Sequence, residues 1–150
     1  MKLLLIFFLS TVAFFSCKKN AFEDPALTGK WKMIQVRDNA NNTVITKPAS
    51  VSENVEMVLN YSASGKGKMT GNTTTTPVRG NFTVGEQKTF SMPLVYNDID
   101  KVAFDIFWGS EEWDTAFLNN ITHSKEYIFE SNGNLDLTTS NNKTMIFVKE

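Results

Sequence analysis

Tyr127-Ile128-Phe129-Glu130-Ser131-Asn132-Gly133-Asn134-Leu135-Asp136-Leu137 is the stretch on which the fold turns. Two short runs of strand-forming residues flank Asn132-Gly133, and Asn-Gly is the strongest short-range hairpin signal because both residues tolerate positive φ. Leu135 and Leu137 alternate with polar neighbours, so one face of that strand is apolar. Downstream, Ser140-Asn141-Asn142-Lys143 turns the chain again and Met145-Ile146-Phe147-Val148 supplies a last strand. Two consecutive hairpins at the C-terminus predict an antiparallel sheet.

The same alternation recurs upstream. Trp31, Met33 and, after a twist or bulge, Val36 fall on one side of a first strand in Gly29 to Arg37. Asp38 to Asn42 is a turn cluster, and Val44-Ile45 forms a short strand before Pro48. Val55, Met57, Leu59 and Tyr61 share one face of the next strand. Lys68-Met69-Thr70 is extended, Asn72 to Thr76 reads as a polar solvent loop closed by Pro77, and Val78, Gly80, Phe82 and Val84 restart the pattern. Gly85-Glu86 turns into a partner strand at Thr89 to Met92. One helix interrupts the strands. Ser110 stands as N-cap, Glu111 and Glu112 suit the positive end of a helix, and Trp113, Ala116, Phe117 and Ile121 make one apolar stripe. Val102 to Trp108 reads equally as strand or short helix. The whole is α+β, mostly antiparallel β with one main helix, as a compact sheet or a partly closed barrel.

The N-terminus carries a different message. Lys2 precedes an apolar run from Leu3 to Phe15 broken only by Ser10 and Thr11, and Ser16 precedes Cys17, the single cysteine. The run is shorter than the ~20 apolar residues that cross a bilayer, so it reads as a secretion signal. A small residue before a lone Cys resembles the lipobox of bacterial lipoproteins. The chain therefore divides into a lipoprotein signal peptide over 1–16, a lipidated Cys17 with a tether over 17–26, and a single domain over 27–150. Cleavage by an ordinary signal peptidase, leaving a free thiol, is the competing reading. Lys18 and Lys19 either rest against anionic headgroups or simply begin a solvated tether.

Composition bounds the domain's chemistry. Net charge is −1, and the basic residues are scattered without a stripe, which argues against nucleic-acid binding. A single Cys allows no intrachain disulfide, so stability rests on a hydrophobic core for which 12 Phe and three Trp provide material. His123 is the single histidine, placed near the helix end where an imidazole caps carbonyls. With no second His and no free buried Cys, no zinc site is expected. Asp98 and Asp100 lack the Gly and closing Glu of a calcium loop. Adjacent Glu111 and Glu112 point apart on a helix and cannot flank a glycosidic bond. No metal, cofactor or catalytic residue is expected, and the chain does not read as an enzyme.

At this point the order of pieces resembles the META/HslJ family of small bacterial domains. Leu27-Thr28-Gly29-Lys30-Trp31 is similar to the family's opening strand and Gly67-Lys68-Met69-Thr70-Gly71 to its glycine-bracketed strand. Gly71 to Phe82, ending in Gly80-Asn81-Phe82, keeps the spacing of its central signature, with Thr74, Thr75 and Thr76 in place of the inner Gly, Cys and Asn. Lys101-Val102-Ala103, Glu112 with Phe117-Leu118, and the three closing strands follow in the family's order. The resemblance implies a β-rich envelope protein, linked in relatives to stress or drug tolerance, without a shared catalytic residue. Gly29-x-Trp31 is also similar to the opening motif of lipocalin-like barrels, which implies a carrier of a small apolar ligand.

These readings give a non-enzymatic bacterial cell-envelope lipoprotein, anchored to the inner or outer membrane and facing periplasm or cell surface. Its expected partners are the membrane, through the anchor, and a small apolar ligand or an envelope protein. Tyr96, Trp108 and Trp113 are the candidate surface for that ligand or partner. The competing reading of these aromatics is core packing.

Overall fold

A computed structural model gives the structure of the chain and describes residues 22–97 and 112–150. The first half forms β1 (Gly29–Asp38), β2 (Thr43–Thr46), β3 (Glu56–Ala63), β4 (Lys66–Asn72), β5 (Pro77–Val84), β6 (Phe90–Ser91) and β7 (Val95–Asn97). The second half forms α1 (Glu112–Ile121), β8 (Ser124–Phe129), β9 (Leu135–Thr139) and β10 (Lys143–Lys149). All pairings between these strands are antiparallel, in the order β6-β5-β4-β3-β1-β10-β9-β8, with β2 added to β1 and β7 to β5.

The two ends of that order meet. Thr89, just before β6, bridges to Glu126 on β8, so eight strands run around a nearly closed barrel. Near-closure shields most of the edges that would otherwise recruit other strands. Apart from the skipped β2 and β7, each strand lies beside its neighbour in sequence, and β10 returns to β1. The fold is thus the antiparallel, β-rich α+β architecture with one described helix that the alternation predicts.

Inward positions follow the two-residue period. Trp31, Met57, Leu59, Met69, Phe82, Tyr127, Leu137 and Phe147 are fully buried and belong to one core cluster. The register of β1 against β10 slips between Met33 and Gln35, and this bulge returns Val36 to the core after Met33. Eight strands enclose a space that side chains can just fill, and here aromatics fill it. Phe82 stacks on Phe90 with centroids 5.5 Å apart, Tyr61 meets Phe82 edge-on at 5.5 Å, and Trp31 lies 5.9 Å from Phe129. Each fully buried side chain of this size contributes about 1.5–3 kcal/mol through removal from water.

One strand expectation changes, and one strand goes unforeseen. The partner strand over Thr89 to Met92 shortens to Phe90–Ser91, because the chain first makes a single 3-10 turn over Glu86–Lys88, with Gln87 and Lys88 at φ of 59°. Past Pro93 the short strand β7 pairs with Val78 to Gly80 in the first half of β5. Signals of three residues are too short for periodicity to register.

The two barrel ends are closed differently. At the end where β1 begins, the last residues of the supposed tether, Asp24 to Ala26, are fastened to the domain. Asp24 caps a 3-10 turn over Pro25–Leu27, Leu27 is fully buried, and its carbonyl accepts the Trp31 indole N–H at 2.8 Å. Asp24 reaches two walls at once. Its N–H donates to the Tyr61 hydroxyl on β3 at 3.0 Å, and its Oδ2 accepts from the Tyr127 hydroxyl on β8 at 2.9 Å. Those strands stand on opposite sides of the barrel order, so the N-terminal turn crosses the opening. The other end holds α1, which buries Trp113, Ala116, Phe117 and Ile121, with Phe117 edge-on to Phe147 at 6.4 Å.

Candidate functional site

The α1 end carries the features that differ from plain barrel packing. The threonine loop between β4 and β5 comes first. Thr73 is buried, and its Oγ1 accepts the N–H groups of Thr75 and Thr76 at 3.3 and 3.0 Å, folding the loop back on itself. The Thr73 N–H closes the turn by donating to the Thr76 carbonyl at 2.8 Å. The loop then docks on α1. Asp114 accepts the Thr74 N–H at 2.9 Å, the Thr74 hydroxyl at 2.7 Å and the Thr75 hydroxyl at 3.1 Å. Asp114 is 1% exposed and lies in the first turn of α1, where the helix dipole also favours its charge. The expectation of a solvent loop holds for Asn72 and Thr75, which are exposed, but the loop is also anchored: its hydroxyls and one amide satisfy a buried carboxylate.

Three shallow clefts open at this end. One of about 310 Å³ lies between the threonine loop and the segment holding Glu53, Asn54 and Glu56. A second, of about 350 Å³, runs along α1 past Ile45, Asn141 and Lys143. A third, of about 260 Å³, lies between Leu94 and the C-terminal part of α1, with His123 on its rim. The first is lined mostly by hydroxyl, amide and carboxylate groups, while the other two mix such groups with apolar side chains, Ile45 in the second and Leu94 and Leu118 in the third. Glu56 is held by Lys30 at 2.8 Å. Asn120 is buried, donates to the Ala116 carbonyl, and accepts from Asn141 at 3.0 Å. The walls of the first cleft suit hydrogen-bonded contact with a polar surface.

Of the aromatics singled out from sequence, Tyr96 and Trp113 are described, and they do not converge. Trp113 is fully buried in the core and offers no exposed ring, because α1 turns its apolar stripe, Trp113 included, into the barrel. Tyr96 is half-buried on β7 beside Arg79, and its neighbour Val95 takes the inward position, so Tyr96 and Trp113 face opposite sides of the wall. Trp108 and Cys17 lie outside the described residues, as do Asp98, Asp100, Ser110 and Glu111. His123 is exposed. Its Nδ1 donates to the Asn119 carbonyl at 2.8 Å and its own N–H to the Asn120 carbonyl at 3.0 Å, the capping role read from sequence. Among the described residues no group of three His, Cys, Asp or Glu side chains is arranged to hold a metal ion, and no helix is long and apolar enough to cross a membrane.

Asp114 is the residue that sequence reading missed. A carboxylate at the third position of a helix is ordinarily explained by the dipole alone. The signal available was the run of four hydroxyl residues, Thr73 to Thr76, without an evident acceptor.

No family model matches the chain, and no curated protein matches it significantly. Among solved structures the chain is similar to one described as the NMR structure of the protein from Burkholderia xenovorans, at 15% identity, over 85% of this chain and 88% of that one, with a TM-score of 0.59. At that identity the similarity concerns the fold alone.

Proposed function

We propose that the chain is a lipid-anchored, non-enzymatic binding domain of the bacterial cell envelope that makes its contacts from outside the barrel. The observation that carries this reading is the filled interior. Trp31, Phe82, Phe90, Tyr127 and Phe147 occupy the space in which an eight-stranded barrel would otherwise hold a ligand. The anchor fits the same picture. Cys17 precedes Asp24 by seven residues, a span of at most ~25 Å when fully extended, and Asp24 is fastened across one barrel end. A lipid on Cys17 would hold that end against the membrane and turn the α1 end, with its clefts, towards partners.

A second reading, a lipocalin-like carrier, draws support from strand order. An up-and-down eight-stranded barrel whose first strand carries Gly29-Lys30-Trp31 is the architecture of that resemblance. The META/HslJ-like resemblance rests on the Gly71 to Phe82 spacing, and the stress or drug tolerance it implies belongs to the proposal only.

Native mass spectrometry of the full chain purified from its own membranes separates the two readings. The bare lipidated mass supports the first; a co-purifying apolar molecule that stays with the protein after delipidating washes supports the carrier. Cys17→Ser is expected to move the protein from the membrane pellet to the soluble fraction. A variant that still pellets with membranes removes the anchor from the proposal.

A further inference from the structure

Asn132-Gly133 does more than turn the chain. It is the one place in the sequence where glycine follows asparagine; every other asparagine precedes a residue with a side chain. Ser131, Asn132 and Gly133 are exposed at the tip of the β8–β9 hairpin. A Cβ on Gly133 would meet nothing within 4 Å, so the space beside its backbone is open. Three hydrogen bonds define the tip. The Glu130 N–H donates to the Asn134 carbonyl and the Gly133 N–H to the Glu130 carbonyl, both at 2.9 Å. The Asn134 N–H donates to the Asn132 side-chain Oδ1 at 2.9 Å. This last bond holds the Asn132 side chain along the Gly133 peptide. It also places a donor on the oxygen that gains negative charge when the side-chain carbonyl carbon is attacked.

We infer that Asn132 is the chain's site of spontaneous deamidation, and that its conversion loosens β8 at the seam of the barrel. The Gly133 nitrogen loses its proton to solvent and attacks the Asn132 Cγ. A carbon–nitrogen bond forms, the side-chain nitrogen takes up a proton and leaves as ammonia, and a five-membered succinimide closes. Water then opens the ring at either carbonyl. One opening gives aspartate. The other gives isoaspartate, whose main chain runs through Cγ and is longer by one methylene. The balance is amide plus water to acid plus ammonia, with nothing oxidised or reduced.

The attack is intramolecular, so position replaces an enzyme. Glycine matters because no Cβ crowds the nucleophile. The gate is the Gly133 bond to Glu130, which must open before the nitrogen is free. At an exposed hairpin tip that opening belongs to the low end of local stability. The product acts on a strand with little other support. Either form adds a negative charge to a tip that already carries Glu130, whose charge reaches Asp136. Isoaspartate also lengthens the main chain between Phe129 and Leu135, which pair directly. Among the described residues, β8 pairs on its other side through the isolated Thr89–Glu126 bridge alone. The seam therefore yields before the strands that have two full neighbours.

Peptide mapping of the full chain, purified in mild detergent and kept warm at mildly alkaline pH, tests this. The peptide holding Asn132 is expected to shift by the mass difference between amide and acid before any other asparagine peptide does, with isoaspartate among the products. Asn132→Gln should stop the conversion there. Gly133→Ala should slow it at least tenfold, in urea as in buffer, so that a disturbed turn does not obscure the effect of the Cβ. An Asn132 that stays intact while another asparagine converts overturns the inference, as does a Gly133→Ala chain that converts at the wild-type rate in urea. Amide exchange on the isolated isoaspartate form reads the consequence. Faster exchange along β8 with β10 unchanged is expected, and exchange identical to that of the fresh chain overturns the loosening of the seam.

Discussion

The Tyr127 hydroxyl donates to the Asp24 carboxylate at 2.9 Å across 103 residues of sequence. With the Asp24 N–H on Tyr61, that bond fastens the N-terminal turn over the barrel opening and holds Leu27 inside. A hydrogen bond to a charged group is worth about 1.5–3 kcal/mol. Asp24→Ala is therefore expected to lower unfolding free energy by roughly that amount. Tyr127→Phe should cost about as much, because it leaves the carboxylate short of a donor. In urea denaturation the double variant should lose clearly less than the sum of the two. Additive losses would mean that the two residues do not act through each other.

The same pair sets an alkaline limit. Burial and the Asp24 charge raise the Tyr127 hydroxyl far above its ordinary value of 10.0, and burial raises Tyr61 as well. Both therefore keep their protons in the folded chain at a pH where the unfolded chain releases them. The folded state then binds more protons, so stability falls as pH rises above about 10. Below that value both states are protonated and these tyrosines impose no slope. Denaturation midpoints measured from pH 8 to pH 11 should show the fall in the wild type, and Tyr61→Phe with Tyr127→Phe should flatten it.

Gly67 and Phe82 share one position in space. They are cross-strand partners in β4 and β5, and a Cβ on Gly67 would sit 2.1 Å from the Phe82 ring. The glycine is required because the aromatic from the next strand lies over its backbone. Gly71 is as tight and less forgiving, since its Cβ would meet the Glu56 carbonyl at 2.1 Å, and backbone cannot swing away. Overpacking typically costs about 1–3 kcal/mol. Gly67→Ala should fall in that range, and Phe82→Leu in the same chain should recover part of the loss. Gly71→Ala should cost more and resist rescue by any side-chain change. Thermal midpoints of the three variants decide the matter; a neutral Gly67→Ala would mean that Phe82 repacks freely.

What the sequence disclosed follows from the range over which each signal acts. Alternation is local, and the strands around Trp31, Met57, Phe82, Leu137 and Phe147 were legible because each buries one face. The Asn132-Gly133 hairpin was legible from its turn chemistry, and the structure puts Gly133 at φ 86°. Closure of the barrel was not, because the Thr89–Glu126 bridge joins residues 37 apart with no local mark. Asp24 read as tether for the same reason, since its partners Tyr61 and Tyr127 are distant in sequence. Trp113 was singled out because an aromatic beside a turn reads alike whether it faces ligand or core. The direction of α1's stripe decides it, and that is set by the barrel.

Asp114 provides the remaining test, because one carboxylate holds the threonine loop to the helix. Three donors from Thr74 and Thr75 converge on it, and Thr73 is buried behind them. Asp114→Asn keeps the size but replaces one acceptor by an NH₂ that faces the hydroxyl donors. Asp114→Ala leaves the donors unanswered altogether. The expected order of stability is wild type, then Asn, then Ala, with Ala lower than wild type by about 3 kcal/mol or more, as for a broken buried charged network. The loss should be local before it is global. The Thr74 amide should exchange with solvent faster in Asp114→Asn while amides in β9 and β10 keep their protection. Thr74→Ala with Thr75→Ala removes the hydroxyls and leaves the charge buried, so it should destabilise about as much as Asp114→Ala. Uniform exchange throughout the barrel in Asp114→Asn would show that the carboxylate supports the whole core and not the loop alone.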